Sequence, residues 1–173
     1  MIREIVKNTE ETIKLGIVNS EIDSVRSQGE EKTTVRLYDK GLIGLSSAVG
    51  NVDLSQLTEN AKKLLIFPIS YPIEPTANNI VSFEHSGVWR PLDELIDMSE
   101  KILSTLRTEY PNYVFLHTIK QTRKRLSIQN DLGLDVRYGT TDFELVLIVK
   151  RKGSGNVADT FLMATGGDVD IET

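Results

Sequence analysis

The two histidines are the residues best suited to chemistry in this sequence, because imidazole can act as a general base or bind a metal. His85 follows Glu84 in "FEHSGVW", and His117 lies in an apolar, alternating stretch further along. A zinc-protease HExxH motif needs two histidines on one helical face with the glutamate between them; here the order is reversed. The chain has no cysteine, which excludes thiolate metal sites and disulfides. We therefore predict no metal ligand and no cofactor-binding residue, and expect both histidines to be hydrogen-bonded or solvated.

The serines and glycine-rich segments do not form a recognisable catalytic motif. Ser46 and Ser47 lie in a predicted strand, and the sequence lacks the GxSxG of a nucleophile elbow. The segments "GSGN" (153–156) and "TGGD" (165–168) do not open a helix, as a phosphate-binding loop would. We interpret both as turns and predict no catalytic residue, so that this chain alone is not expected to be an enzyme.

One basic run, "KQTRKR" (120–125), could contact nucleic acid. It supplies Lys120, Arg123, Lys124 and Arg125, and a tyrosine, Tyr113 or Tyr138, could stack on a base. The alternative is a solvated turn or strand edge, where cations discourage edge-to-edge pairing. The net charge of −5 and the pI of about 5.1 argue against a chain that mainly binds phosphate. We predict that nucleic acid is not a specific ligand.

The composition is that of a soluble protein with a substantial core. The chain has 173 residues, of which 39% are hydrophobic and 26% charged, and this length suits one domain. No stretch approaches the roughly 20 apolar residues of a membrane helix, and the N-terminus lacks an apolar signal-peptide core. We predict a single α+β domain over residues 1–173, in the cytoplasm and without membrane contact.

Alternating apolar residues predict strands that are joined by tight hairpins. Ile13, Leu15 and Ile17 alternate in a first strand, which the polar segment "RSQGEEK" (26–32) is expected to end. Turns are predicted at residues 39–41, where Gly41 can take a positive φ, and at residues 130–133. Later strands are expected around residues 113–119, at 143–150 in the centre of the sheet, and near 160–164.

Helical periodicity predicts two amphipathic helices. The first covers residues 53–65, with Asp53 as N-cap and Gln56 completing a capping box. The second covers residues 91–108, with Pro91 in its first turn. Between them, the proline- and asparagine-rich residues 66–89 are expected to form a long connection that binds a partner or covers a sheet edge. The whole pattern favours an α+β fold, with a mainly antiparallel sheet built from hairpins and two helices packed on it.

Taken in order, these elements resemble a known family. The segment "EIDSVRSQGEEKTTVRLYDKGLIGLSSA" precedes the helix "DLSQLTENAKKLL", and "IQNDLGLDVRYGTTDFELVLIVKRKGSGNVADTF" follows the helix "PLDELIDMSEKILSTL". Over roughly residues 15 to 165 this is similar to the N-terminal half of the TldD/PmbA family, called modulators of DNA gyrase. That family has a "vR.f..G..G.as" hairpin before a helix and later an "i.NS.G" turn. Asp131 stands here where serine is more usual.

The resemblance implies a cytoplasmic, peptidase-related protein that assembles as a homodimer or heterodimer. TldD-type members carry a zinc-binding HExxxH in the C-terminal half and PmbA-type members lack it, so no residue here corresponds to a metal ligand or catalytic group. The implied function is a noncatalytic N-terminal domain that shapes a peptide-binding cavity and supports dimer assembly. Its partners would be a second protein chain, the C-terminal half, and peptide. The alternative is a stand-alone module that binds protein or nucleic acid through residues 66–89 or the run 120–125.

Overall fold

A computed structural model describes residues 1–66, 74–85 and 87–167. Within them, seven strands form one sheet in the order β3-β2-β1-β5-β6-β4, with β7 also paired with β6, and the β2–β3 and β6–β7 pairs are antiparallel. Two helices pack on the sheet, so the predicted α+β class with a mainly antiparallel sheet is confirmed. The elements are β1 (Ile2–Val18), β2 (Glu21–Asp39), β3 (Leu42–Val49), α1 (Leu54–Lys63), β4 (Ile80–His85), α2 (Leu92–Glu109), β5 (Tyr113–Asn130), β6 (Asp135–Arg151) and β7 (Thr160–Gly166).

The chain divides into two compact units, each assembled from three separate segments. Unit 1 comprises residues 1–10, 29–84 and 124–140, and unit 2 comprises residues 11–28, 85–123 and 141–173. Four long strands, β1, β2, β5 and β6, contribute residues to both units. The single-domain assignment of residues 1–173 stays a prediction.

The core of unit 1 lies between α1 and the β2–β3 hairpin. Val35 and Leu37 alternate onto one face of β2 and are fully buried, and Leu57 and Ala61 of α1 meet them. Asp53 caps the helix as predicted, because its carboxylate accepts hydrogen bonds from the amides of Ser55 and Gln56. The predicted capping box is not formed, since the Gln56 amide donates instead to Asn60 Oδ1 at 3.1 Å.

Gly44 brings α1 close to β3. A β-carbon built on Gly44 would lie 2.0 Å from the carbonyl oxygen of Ala61, a distance that real atoms do not tolerate. The helix therefore rests directly on strand backbone at this position, and only glycine fits there.

Both predicted hairpin turns are confirmed. Lys40 and Gly41 have φ values of 48° and 78° between β2 and β3, as a two-residue primed turn requires. Between β5 and β6, Gly133 has a φ of 82°. The Asn130 carboxamide oxygen organises this second turn, since it accepts hydrogen bonds from the amides of Leu132 and Leu134 at 2.9 and 3.0 Å.

The predicted break at residues 26–32 is wrong, because these residues continue β2. The chain turns earlier, at Asn19 and Ser20, which have φ values of 52° and 67°. Residues 26–32 are exposed on both sides of the strand. Backbone hydrogen bonds to neighbouring strands hold such a segment extended without any apolar alternation, so side-chain periodicity could not reveal it.

The core of unit 2 lies beneath α2. Pro91 directly precedes the helix, one position earlier than predicted, and Ser99 is fully buried with its hydroxyl donating to the Leu95 carbonyl at 2.7 Å. The helix ends at Glu109, and Tyr110 is its C-cap. The buried cluster consists of Ile13, Leu15, Ile17, Leu95, Leu103, Phe115, Ile119 and Phe143.

The predicted connection at residues 66–89 also needs correction. Residues 80–85 form strand β4, which pairs with β6. Residues 67–73 and 86, which the prediction also covered, lie outside the described residues. Among the helices described here, none has the length and apolar character needed to cross a membrane.

Candidate functional site

Unit 1 contains an open cleft of about 580 Å³, built from strands β1, β4, β5 and β6. Its volume falls in the range of roughly 300–1,000 Å³ that small ligands and short peptide segments occupy in proteins. The residues bordering it are Lys7, Thr9, Ser82, Phe83, Glu84, Arg125, Leu126, Ser127, Gln129, Arg137, Tyr138 and Gly139.

Strand alternation places most of these residues on a shared face of their strand. Side chains two positions apart lie on the same face of a strand, and the cleft borders contain such pairs on all four strands. They are Lys7 with Thr9, Ser82 with Glu84, Arg125 with Ser127 and Gln129, and Arg137 with Gly139.

The cleft carries an excess of positive charge. Arg137 is neutralised by Asp135, which it meets through Nε at 3.1 Å and Nη2 at 2.9 Å. The hydrogen bond from Arg137 lowers the pKa of the Asp135 carboxyl from its ordinary value. Within the part of the chain that the structure describes, Lys7, Arg125 and Glu84 form no ion pair. Two cations and one carboxylate are therefore left to meet a ligand.

The Glu84 carboxylate lies beside Gly139 of β6. A β-carbon built there would lie 3.5 Å from Glu84 Cγ and 3.6 Å from Glu84 Oε1, which is ordinary van der Waals contact. The Glu84 side chain therefore lies directly over the backbone of Gly139, across from its own strand.

An aromatic pair lies on the same two strands. The rings of Phe83 in β4 and Tyr138 in β6 stack with centroids 5.6 Å apart and planes 7° from parallel. Both side chains are exposed, at 54% and 44%. Because β4 is the last strand in the sheet order, its outer edge carries backbone groups with no partner strand among the described residues.

The structure places both histidines in unit 2, and neither borders the cleft. His85 is exposed at the end of β4. His117 is 4% exposed in β5, and burial lowers its pKa from 6.5 to about 4. Neither of its ring nitrogens has a hydrogen-bond partner in the described chain, contrary to the prediction of a hydrogen-bonded or solvated side chain. Across residues 1–66, 74–85 and 87–167, the structure has no cluster of three or more His, Asp or Glu side chains suited to a metal.

The basic run at residues 120–125 lies within β5, an interior strand, and forms neither a turn nor a sheet edge. In unit 2, the Arg123 guanidinium forms an ion pair with Glu11 and stacks 4.4 Å from the centroid of the Trp89 ring. In unit 1, Lys124 lies 3.8 Å from Glu10. Strand alternation sends successive residues to opposite faces, so the run does not make one cationic patch. Only its last member, Arg125, reaches the cleft.

The sequence suggested some of these residues for other reasons. Arg125 belongs to the basic run, Tyr138 is one of the two tyrosines that could stack on a base, and Glu84 precedes His85. The cleft itself was missed, because it depends on which strands are neighbours in the sheet. The usable signal was the alternation of polar Arg125, Ser127 and Gln129 with apolar Leu126 and Ile128.

The fold is shared with solved structures from three microorganisms. A proposed modulator of a DNA gyrase from Thermotoga maritima matches 95% of this chain and 38% of its own, with a TM-score of 0.67 and 16% identity. TldE from Thermococcus kodakarensis matches 95% of this chain over 39% of its own length, with a TM-score of 0.67 and 15% identity. A proposed modulator of DNA gyrase from Bacteroides thetaiotaomicron matches 97% of this chain over 41% of its own length, with a TM-score of 0.67 and 10% identity.

These similarities confirm the predicted resemblance at the level of the fold. The chain spans about two fifths of the length of the solved structures that it matches. No family model and no curated protein matches the sequence.

Proposed function

We propose that this chain is a noncatalytic domain of a TldD/PmbA-like, peptidase-related protein, and that it holds an extended peptide in the cleft of unit 1. The observation that carries the proposal is the position of this cleft next to the outer edge of β4, which has no partner strand among the described residues. A peptide can add to such an edge through backbone hydrogen bonds while alternate side chains enter neighbouring pockets.

The chemistry of the cleft suits peptide binding. Phe83 and Tyr138 offer an exposed ring surface for an apolar side chain, and large aromatic residues commonly dominate binding energy at such places. Ser82, Ser127 and Gln129 offer hydrogen bonds of the kind that fix an extended chain. Among the described lining residues Glu84 is the single carboxylate, and no histidine accompanies the hydroxyls. These groups support binding rather than a nucleophile with its base.

The proposal includes assembly with another protein chain, which could be a second copy, a related subunit or the remainder of a longer protein. Its support is an apolar face in unit 2. In the β6–β7 pair, Val146 lies opposite Met163, and Ile148 lies opposite Phe161. Residues opposite each other in a sheet share a face, and these alternate with Leu145, Leu147 and Val149, which pack toward α2. We name the exposed side the open face of unit 2; it comprises Leu116, Val146, Ile148, Phe161 and Met163.

Exposure of this size supports protein contact. Phe161 and Met163 are 58% and 56% exposed on a strand whose residues are exposed throughout. Contiguous exposed apolar area tends to mark contact surfaces between proteins. The nucleic-acid alternative has less support, because Arg123 and Lys124 of the basic run are already paired with Glu11 and Glu10.

The test of peptide binding uses fluorescence anisotropy with an N-terminally labelled, unstructured peptide of about ten residues that combines apolar and neutral polar side chains. Phe83→Ala is expected to weaken binding roughly tenfold, since removal of a buried aromatic contact commonly costs more than 1 kcal/mol. Phe161→Ala is the matched control, because that ring is equally exposed but lies in unit 2.

The peptide should also remain intact during prolonged incubation with the purified chain. Binding that is unchanged in Phe83→Ala, or equal losses in both variants, would exclude the cleft as the peptide site. Cleavage that is abolished by Glu84→Gln would show that the domain is catalytic, contrary to the proposal.

A further inference from the structure

We infer that the cleft of unit 1 recognises a carboxylate of its bound peptide through Lys7 and Arg125. The inference rests on the proposed function and names the chemistry of the ligand that the same cleft prefers. The carboxylate can come from an aspartate or glutamate side chain or from a free peptide C-terminus, and the shared feature is one negative charge held between two cations.

The charges of unit 1 support this assignment. Several cations of unit 1 are matched to an acid: Arg3 lies 3.6 Å from Asp131, Arg137 lies 2.9 Å from Asp135, and Lys124 lies 3.8 Å from Glu10. Lys7 and Arg125 differ, since both border the cleft and neither forms an ion pair in the described part of the chain. The formal charge of the lining is positive although the whole chain carries −5.

The strands also position these two residues for a shared ligand. Lys7 lies in β1 and Arg125 in β5, and these strands are neighbours in the sheet. Both side chains are exposed, and their strand positions place them with Thr9 and Ser127 on the cleft. The guanidinium offers paired donors that match a carboxylate, and the lysine ammonium adds a point charge beside it.

Glu84 makes the distribution of charge along the cleft asymmetric. It lies over Gly139 in β6, so its negative charge and the two cations border the same cleft from different strands. A peptide carboxylate is therefore repelled at the β4 side and attracted toward β1 and β5. This arrangement favours a bound peptide whose negative group lies beside β1 and β5 over one whose negative group lies beside β4.

The experiment compares three labelled peptides of about ten residues with the same neutral sequence. The first has an amidated C-terminus, the second is amidated but carries one aspartate, and the third has a free C-terminal carboxylate. We expect the second or the third to bind roughly three- to tenfold more tightly than the first at about 0.15 M salt. Much of this gain should disappear at about 0.5 M salt, because exposed charge pairs are modest and screened.

Lys7→Ala combined with Arg125→Ala should abolish the gain, so that this variant binds the three peptides with equal affinity. The matched control is Lys32→Ala with Lys63→Ala, which removes the same charge from exposed residues of unit 1 that do not border the cleft. The peptide that gains more identifies the source of the carboxylate.

Three equal affinities would overturn the inference while leaving peptide binding intact, and so would a gain that survives in the Lys7/Arg125 variant. A gain lost equally in the Lys32/Lys63 control would show a general charge effect and would also overturn it. If none of the peptides binds, the proposed function itself fails.

Discussion

At the scale of single residues, His117 is the side chain with the clearest consequence for stability. It lies between Phe115 and Ile119 on the face of β5 that packs beneath α2, and its two ring nitrogens lack hydrogen-bond partners among the described residues. An imidazolium in this position would be a buried, unpaired charge, which proteins avoid by keeping the group neutral. Its pKa is accordingly lowered to about 4.

The free energy of unfolding should therefore fall when the pH is lowered through the window from 6.5 to about 4. His117 takes up a proton near pH 6.5 in the unfolded chain but only near pH 4 in the folded protein. Between these two values protonation therefore favours unfolding. Between about pH 7 and pH 4.5 the loss attributable to His117 should be about 2–3 kcal/mol, as measured by urea unfolding.

His117→Leu and His117→Phe should each flatten this pH dependence, whatever their effect on stability at neutral pH. His85→Gln serves as the control, because His85 is exposed and lies outside the buried cluster. A pH dependence that is the same in the wild type and both His117 variants would contradict the assignment.

At the scale of elements, the contact between α1 and β3 depends on Gly44. Gly44→Ala would place a methyl group 2.0 Å from the Ala61 carbonyl, and neither group is the flexible end of a side chain. Either the helix or the strand must then move. We expect a loss of about 1–3 kcal/mol in the free energy of unfolding, measured by denaturant titration.

Gly29→Ala is the matched control for this prediction. Gly29 lies in β2 of the same unit, and a β-carbon there would meet nothing within 4 Å. Since alanine is better than glycine in a strand interior, this change should be neutral or slightly stabilising. Equal destabilisation by the two changes would mean that the close approach of α1 is not what Gly44 provides.

The elements show where sequence patterns were informative. Val35 and Leu37, with their period of two, and Leu57 and Ala61, with their helical spacing, are buried because their local periodicity matches the faces that the sheet and helix bury. Leu64 lies within the predicted helix 53–65 but is 41% exposed, since α1 ends at Lys63 and a 3₁₀ turn follows.

Other features depended on sheet order and could not be read locally. Glu4 is 7% exposed and accepts hydrogen bonds from Arg36 at 3.0 Å and from Tyr38 at 3.1 Å. These partners are more than thirty residues away, on a neighbouring strand. The cleft was unpredictable for the same reason, because Lys7 and Arg125 become neighbours only through the pairing of β1 with β5.

At the scale of the whole molecule, the open face of unit 2 leads to a prediction about assembly. Phe161→Ser combined with Met163→Ser should weaken self-association, or association with a partner subunit, by roughly tenfold or more. Sedimentation velocity over a range of protein concentrations measures the effect. The physical reason is the loss of apolar area that only a partner chain would bury.

Leu162→Ser provides the control, because Leu162 is 59% exposed on the same strand but lies opposite Leu147, on the face toward α2. This change should leave assembly unaffected. A wild-type chain that stays monomeric with every candidate partner, or equal effects of the two changes, would remove the open face from the proposal.

The order of strands in the sheet also sets an order of events on the ribosome. β1 can pair with β2 once β2 has been synthesised, but its other neighbour, β5, begins only at Tyr113. Throughout that interval one edge of a 17-residue strand stays open, a state in which nascent chains are prone to pair with each other. Charged side chains such as Glu10 and Glu11 discourage such pairing until β5 has been synthesised. Once β5 has been synthesised, the same two carboxylates form ion pairs with Lys124 and Arg123. The charges that discourage pairing at the open edge of β1 thus become cross-strand ion pairs in the folded sheet.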